Sequence, residues 1–184
     1  DYRNAVIAAR GAFSGWSARA AFNRGQILYR IAEMLEGRKE QFLEELKQLG
    51  YTASNAKKEV EQSIDRLVYY AGWCDKYQQL FSSVNPVATS HFNFSVPEPM
   101  GVVAILADES SALLGLVSVI APAIAGGNTC IVLASESKPT CSITFAEVIA
   151  TSDVPGGVVN IVTGSRKELH SHFSSHMDVN AIIN

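Results

Sequence analysis

Gly101–Ala107 (GVVAILA), Ala121–Ala134 (APAIAGGNTCIVLA) and Pro155–Gly164 (PGGVVNIVTG) decide the fold. Each contains a short run rich in β-branched residues, and stretches of helical length lie between them. That alternation specifies βαβαβ units with parallel strands. The strands are expected over residues 102–107, 130–134 and 158–162. Nearly all of these positions are apolar, as strands covered by helices on both faces require. Ligands of such sheets bind at the carboxyl ends of the strands. The positions that matter chemically are therefore 108–111, 135–137 and 164–167. A fourth strand is expected over 179–183 after a helix from 167 to 175, all four in one sheet. The second strand is expected beside the first, and the later ones farther outward. The fold class is α/β, a Rossmann-like parallel sheet flanked by helices and preceded by an N-terminal helical segment.

Working outward, residues 1–13 form a short amphipathic helix by pattern, with Ala5, Ala9 and Phe13 on one side and Ser14-Gly15 as its break. Residues 24–49 carry Ile27, Ile31, Met34, Leu35, Phe42, Leu46 and Leu49 at helical spacing. Gly37 marks a kink or split in that helix, and Gly50 sits where a C-cap glycine belongs. Residues 55–80 repeat the pattern with Val60, Ile64, Leu67, Val68 and Ala71. Residues 81–99 then read as an arm. Asn85-Pro86 opens it, Phe92, Phe94 and Val96 alternate along one strand face, and Pro97-Glu98-Pro99 closes it. Such a face is expected to be covered by its own domain or by a second copy. The division expected is thus helices over 1–80, an arm over 81–100 and a truncated βαβ unit over 101–184.

The 184 residues suffice for one sizeable core, and the formal net charge is -3 without basic clusters. Nucleic acid and anionic membranes are poor partners for such a chain. No apolar run approaches the roughly 20 residues of a membrane span, and no secretory signal pattern opens the sequence. Cys74, Cys130 and Cys141 show no metal-binding or redox spacing and suit buried thiols in a reducing, cytoplasmic setting. Cys141 is the exception to examine, because a helix N-terminus lowers a thiol pKa. His91, His170, His172 and His176 have no spacing that defines a metal site.

Taken in order, Met100–Ile105 (MGVVAI), Ile120–Thr129 (IAPAIAGGNT), Pro155–Gly164 and Ser175–Val179 (SHMDV) resemble the cofactor-binding half of the aldehyde dehydrogenase superfamily. Upstream, Ala8–Phe13 (AARGAF), Arg24–Glu36 (RGQILYRIAEMLE) and Tyr69–Tyr77 (YYAGWCDKY) extend the similarity over the whole chain. The resemblance implies an NAD- or NADP-binding module in which a cysteine attacks an aldehyde and hydride passes to the cofactor. It also implies that strands near residues 81–99 help pair subunits.

Against that pattern four sites depart. Ser110 stands at the family's oxyanion asparagine, and losing one such donor typically costs about 10²–10³ in rate. Asp108 and Glu109 add carboxylates where a pyrophosphate would lie, although acids and serines also suit a helix start. Ala134 and Ser137 stand where the family's Lys and Glu grip the adenosine ribose, so charged hydrogen bonds are lost; Glu136 takes over only if its loop shifts by one residue. Gly164 is retained, but the next two family glycines fall on Arg166 and His170, whose side chains occupy a ligand's space. Arg166 alternatively offers charge to a phosphate.

The combination of intact core motifs and altered strand ends resembles the second, degenerate module of the two-module family-16 aldehyde dehydrogenases. It implies no bound cofactor, a scaffold or protein-interaction role, and self-association or protein partners. The alternative is the front part of an active NAD(P)-dependent enzyme that oxidises aldehydes to carboxylic acids.

Overall fold

The computed structural model describes residues 2–184, so the expected helix start at Asp1 lies outside the described residues. Helix α1 (Tyr2–Ser17) runs through the expected break at Ser14-Gly15. Tertiary contact outweighs glycine's weak helix propensity here: Trp16 is buried and its Nε1 donates to the Ile124 carbonyl at 3.0 Å. The long helix predicted next is two, α2 (Ala21–Gly37) and α3 (Lys39–Gln48), divided at the expected glycine. Gly50 takes φ +88°, and the amide of Tyr51 closes on the Leu46 carbonyl. Helix α4 (Ala53–Ala71) is capped by Thr52, whose Oγ1 accepts from the Asn55 amide, and it ends well before residue 80. Val68, expected in its core stripe, is exposed.

A short helix α5 (Tyr77–Phe81) leads into β1 (Ser83–Asn85), which pairs antiparallel with β2 (Asn93–Ser95). This hairpin is not folded onto its own domain. Phe92, Phe94 and Val96 are 75%, 58% and 48% exposed, so of the two covers expected for this face the chain's own domain does not supply one. The strands pair with each other along one edge and leave their side chains uncovered within the chain.

The main sheet follows the βα alternation: β3 (Val102–Leu106), α6 (Leu114–Ala125), β4 (Thr129–Leu133), α7 (Thr140–Ala150), β5 (Val159–Val162), α8 (Arg166–Ser175) and β6 (Ala181–Ile183). All pairings are parallel and the order is β5-β4-β3-β6. β6 therefore lies on the far side of β3 instead of continuing outward past β5. Right-handed crossovers place the helix of a reversed connection on the opposite face. Accordingly α6 and α7 cover one face together with α2–α4, while α8 covers the other with α1. The N-terminal helices thus serve both faces. β3 and β4 are buried at every position, which accounts for their apolar sequence; the one polar residue, Thr129, donates its hydroxyl to the Ala9 carbonyl at 3.0 Å.

Central to the larger core is α6, which other elements hold at both ends. At its N-terminus one oxygen of Glu59 on α4 accepts from the amides of Ala112, Leu113 and Leu114 at 3.0, 2.8 and 3.3 Å and from Ser111 Oγ at 3.0 Å. At its C-terminus Arg24 Nε donates to the Ala125 carbonyl at 3.1 Å, beside the Trp16 bond. An acid at the start and a cation at the end complement the helix dipole.

Candidate functional site: the carboxyl edge of the sheet

Reversal of strand order between β3 and β6 creates the switch point at which open α/β sheets bind ligands. The groups at this edge come from the segments following β3, β4 and β5. After β3, Asp108 accepts from both the amide and the hydroxyl of Ser110. Ser110, expected at the family's oxyanion position, is thereby turned back on its own loop. Those two bonds hold the Asp108 carboxyl below its ordinary range.

Glu109 does something that spacing alone does not reveal. Its carboxylate crosses to the segment after β4 and accepts from Ser135 Oγ at 2.7 Å, the Glu136 amide at 2.8 Å, Ser137 Oγ at 2.8 Å and the Ser137 amide at 3.3 Å. Burial pushes its pKa up, but these donors outweigh burial and bring it down to about 2. Ala134 is buried at the strand end, its amide donating to the Val162 carbonyl. Lys138 returns across the gap to donate to the Ser110 carbonyl at 2.8 Å, with its ammonium 5.5 Å from the Tyr51 ring centroid.

Glu136 turns toward the segment after β5, where its Oε2 accepts from the Arg166 amide at 3.0 Å. The Arg166 guanidinium in turn donates to the Ala107 carbonyl at 3.4 Å and to the Asn184 side chain. Gly164 takes φ +157°, a backbone conformation that other residues rarely adopt, and a Cβ there would lie 2.8 Å from the mobile end of Leu169, so the local chain path favours glycine without any ligand. His170 sits one turn into α8, exposed, and joins none of these contacts. Ser137 and Arg166 are thus drawn into one bonded set with Glu109 and Glu136, whereas Ser110 reaches it through Lys138 and His170 stays apart.

The supposed helix cap at 108–111 is only partly one. Ser111 Oγ accepts from the Gly115 amide at 2.8 Å, but the main cap is Glu59, which sequence reasoning missed. Nothing local marks Glu59, since its partners begin 52 residues away. The suspicion about Cys141 also fails. Burial, with Glu45 nearby, pushes its thiol up to about 12 despite the helix start. Cys130 rises to about 12 and Cys74 to about 11 by burial. Among the described residues no three His, Cys, Asp or Glu side chains gather to hold a metal, and no helix is long and apolar enough to cross a membrane.

A family profile described as "Aldehyde dehydrogenase family" matches residues 1–183. The chain belongs to the aldehyde dehydrogenase family. Human cytosolic 10-formyltetrahydrofolate dehydrogenase is 32% identical over 187 residues, which cover 99% of this chain and 21% of that protein. Cytosolic aldehyde dehydrogenase 1 of Elephantulus edwardii is 35% identical, covering 99% and 37%. Among solved structures, PnpE in complex with nicotinamide adenine dinucleotide superposes with a TM-score of 0.94 at 30% identity, covering 99% of this chain and 37% of that one. The NAD-dependent benzaldehyde dehydrogenase of Corynebacterium glutamicum gives 0.91 at 28%, covering 99% and 40%. This aldehyde dehydrogenase chain therefore spans between a fifth and two fifths of the relatives named. The α/β fold and the parallel sheet are those of the family's solved structures.

Proposed function

We propose that this chain is the front part of an aldehyde dehydrogenase module whose cofactor site has degenerated, and that the module serves as a scaffold or protein-interaction unit. One observation carries the proposal: the polar groups at the strand ends are committed to the chain's own Glu109, Glu136 and Arg166. A dinucleotide needs those donors and that space. The residues present do not fit NAD or NADP, because Ala134 and Ser137 supply no charged grip and Arg166 lies across the end of β3. Similarity to the second module of the family-16 aldehyde dehydrogenases points the same way. On this proposal residues 1–80 buttress the sheet, 81–100 form an assembly arm and 101–184 retain the cofactor fold without the cofactor. The uncovered apolar hairpin supports self-association or a protein partner, and similarity to cytosolic relatives supports a cytoplasmic location.

The alternative, the front part of a working NAD(P)-dependent enzyme, draws its support from the close superposition on the NAD complex of PnpE. Calorimetry of the full-length protein with millimolar NAD and NADP separates the two. Losing two hydrogen bonds to charged groups costs roughly 1.5–3 kcal/mol each, and each 1.4 kcal/mol is about tenfold in affinity. The deficit is about two to four orders of magnitude before the space filled by Arg166 and His170 is counted, so no binding is expected. The quadruple variant A134K/S137E/R166G/H170G is expected to gain it. Tight binding by the unmodified protein would establish the alternative.

A further inference from the structure

The contacts at the carboxyl edge do more than fill a site, because they are linked end to end. Glu109, after β3, grips the segment 135–137 after β4. Glu136, within that segment, accepts from the backbone amide of Arg166 after β5. The Arg166 guanidinium returns to the Ala107 carbonyl at the end of β3. Each segment is joined to the next through a side chain of its own, and the path closes on the strand where it began. Lys138 adds a second tie between the first two segments through the Ser110 carbonyl.

From this geometry we propose that Glu109, Glu136 and Arg166 form a closed ring that fixes the strand-end surface in one shape without any ligand. The proposal rests on the degenerate-cofactor reading for its purpose. In an open α/β sheet a ligand at the switch point contacts the ends of several strands at once and so holds their loops together. Here three side chains make the cross-strand ties. Bonds in which an ionised group takes part are the stronger kind, and both carboxylates and the guanidinium enter such bonds. Local capping does not explain Glu109, since the helix that follows it is capped by Glu59 and Ser111. Nor does simple charge pairing, because Glu109 accepts only from hydroxyls and backbone amides.

A ring makes a prediction that separate pairwise contacts do not. Hydrogen exchange is followed residue by residue in the wild-type protein and in E109A, without ligand. Removing Glu109 frees its direct donors, the Glu136 and Ser137 amides, so their exchange is expected to rise about tenfold or more. The Arg166 amide bonds to Glu136 and not to Glu109. In a ring its exchange also rises severalfold in E109A, while amides within Val102–Leu106 and Thr129–Leu133 keep their protection. E109Q retains an acceptor oxygen and should fall between wild type and E109A at all three amides. Should E109A fail to fold, E136A runs the same test in reverse, with faster exchange expected at the amides of residues 136 and 137 as well as at Arg166. Acceleration confined to the immediate partners of the altered residue overturns the ring, and so does no acceleration at all. Failure of the functional proposal shows separately, as NAD binding by the unmodified protein in calorimetry.

Discussion

Replacing Glu59 by alanine tests how far one side chain supports the central helix. Its single accepting oxygen serves three backbone amides and the Ser111 hydroxyl, at 2.8 to 3.3 Å. A buried donor left without a partner costs about 1–3 kcal/mol. Glu59 is half-buried, so water recovers part of that loss. Discounting each amide to about 1 kcal/mol or slightly less gives a destabilisation of about 2–4 kcal/mol for E59A. In E59Q an acceptor oxygen remains and only the charge at the helix start is lost, which costs about 0.5–1 kcal/mol. A domain of this size loses about 2–4 °C per kcal/mol, so E59A should lower Tm by about 5–15 °C and E59Q by only a few degrees. Urea denaturation gives the free energies and calorimetry the melting points. If E59A falls within about 1 kcal/mol of wild type, the cap is unimportant. Equal losses in E59A and E59Q would mean that the negative charge, not the hydrogen bonds, is what the helix start requires.

Two further outcomes follow from the titrating groups. Glu109 has its folded pKa depressed from 4.5 to about 2, so its contribution is fully present above about pH 4.5 and disappears as pH falls through 2. After allowance for solvent screening, E109Q should be about 1–2 kcal/mol less stable than wild type at pH 7. The two should converge near pH 2 in paired urea titrations; a gap that persists there refutes the assigned cause. Cys130 and Cys141 are fully buried with thiols raised to about 12, so a disulfide reagent at pH 8 should label neither until urea unfolds the protein. Prompt labelling of Cys141 in the native state would restore the case for a reactive thiol.

The sheet was legible because its central strands are buried on both faces and are therefore apolar, at every position of β3 and at all of β4 but Thr129. Helix existence was legible too, but not every end: α1 passes Gly15 because Trp16 has a partner at the far end of α6, which no local pattern encodes. Alternation in Phe92, Phe94 and Val96 marked a strand with one apolar face, yet period two carries no information about what covers that face. At the carboxyl edge, spacing located the right segments and the unusual residues within them. Their bonding was not readable, since Glu109 and Arg166 act across gaps of about thirty residues or more. The side of β3 that β6 joins was missed because β6's own residues suit either edge of the sheet.

That placement of β6 has a consequence for how the molecule acquires its fold. Pairing of β3 with β4 is local: Asn128, just before β4, binds the Gly101 amide over 27 residues. β6 reaches β3 only over 78, where the Asn180 side chain accepts from the Val102 amide. Loop closure and contact order both make the longer pairing slower. We infer that β3, β4 and β5 assemble first, leaving one edge of β3 with unpaired amides and carbonyls in a wholly apolar strand. An edge of that kind is a template for other chains until its last neighbour arrives. Substitutions that weaken β6, such as I182A, should therefore speed unfolding more than they slow folding. Folding slowed in full proportion to the lost stability would place β6 in the nucleus. The Arg10 side chain, bonded to the Asp178 carbonyl and to Asn180, then acts as a latch that sets once β6 has docked.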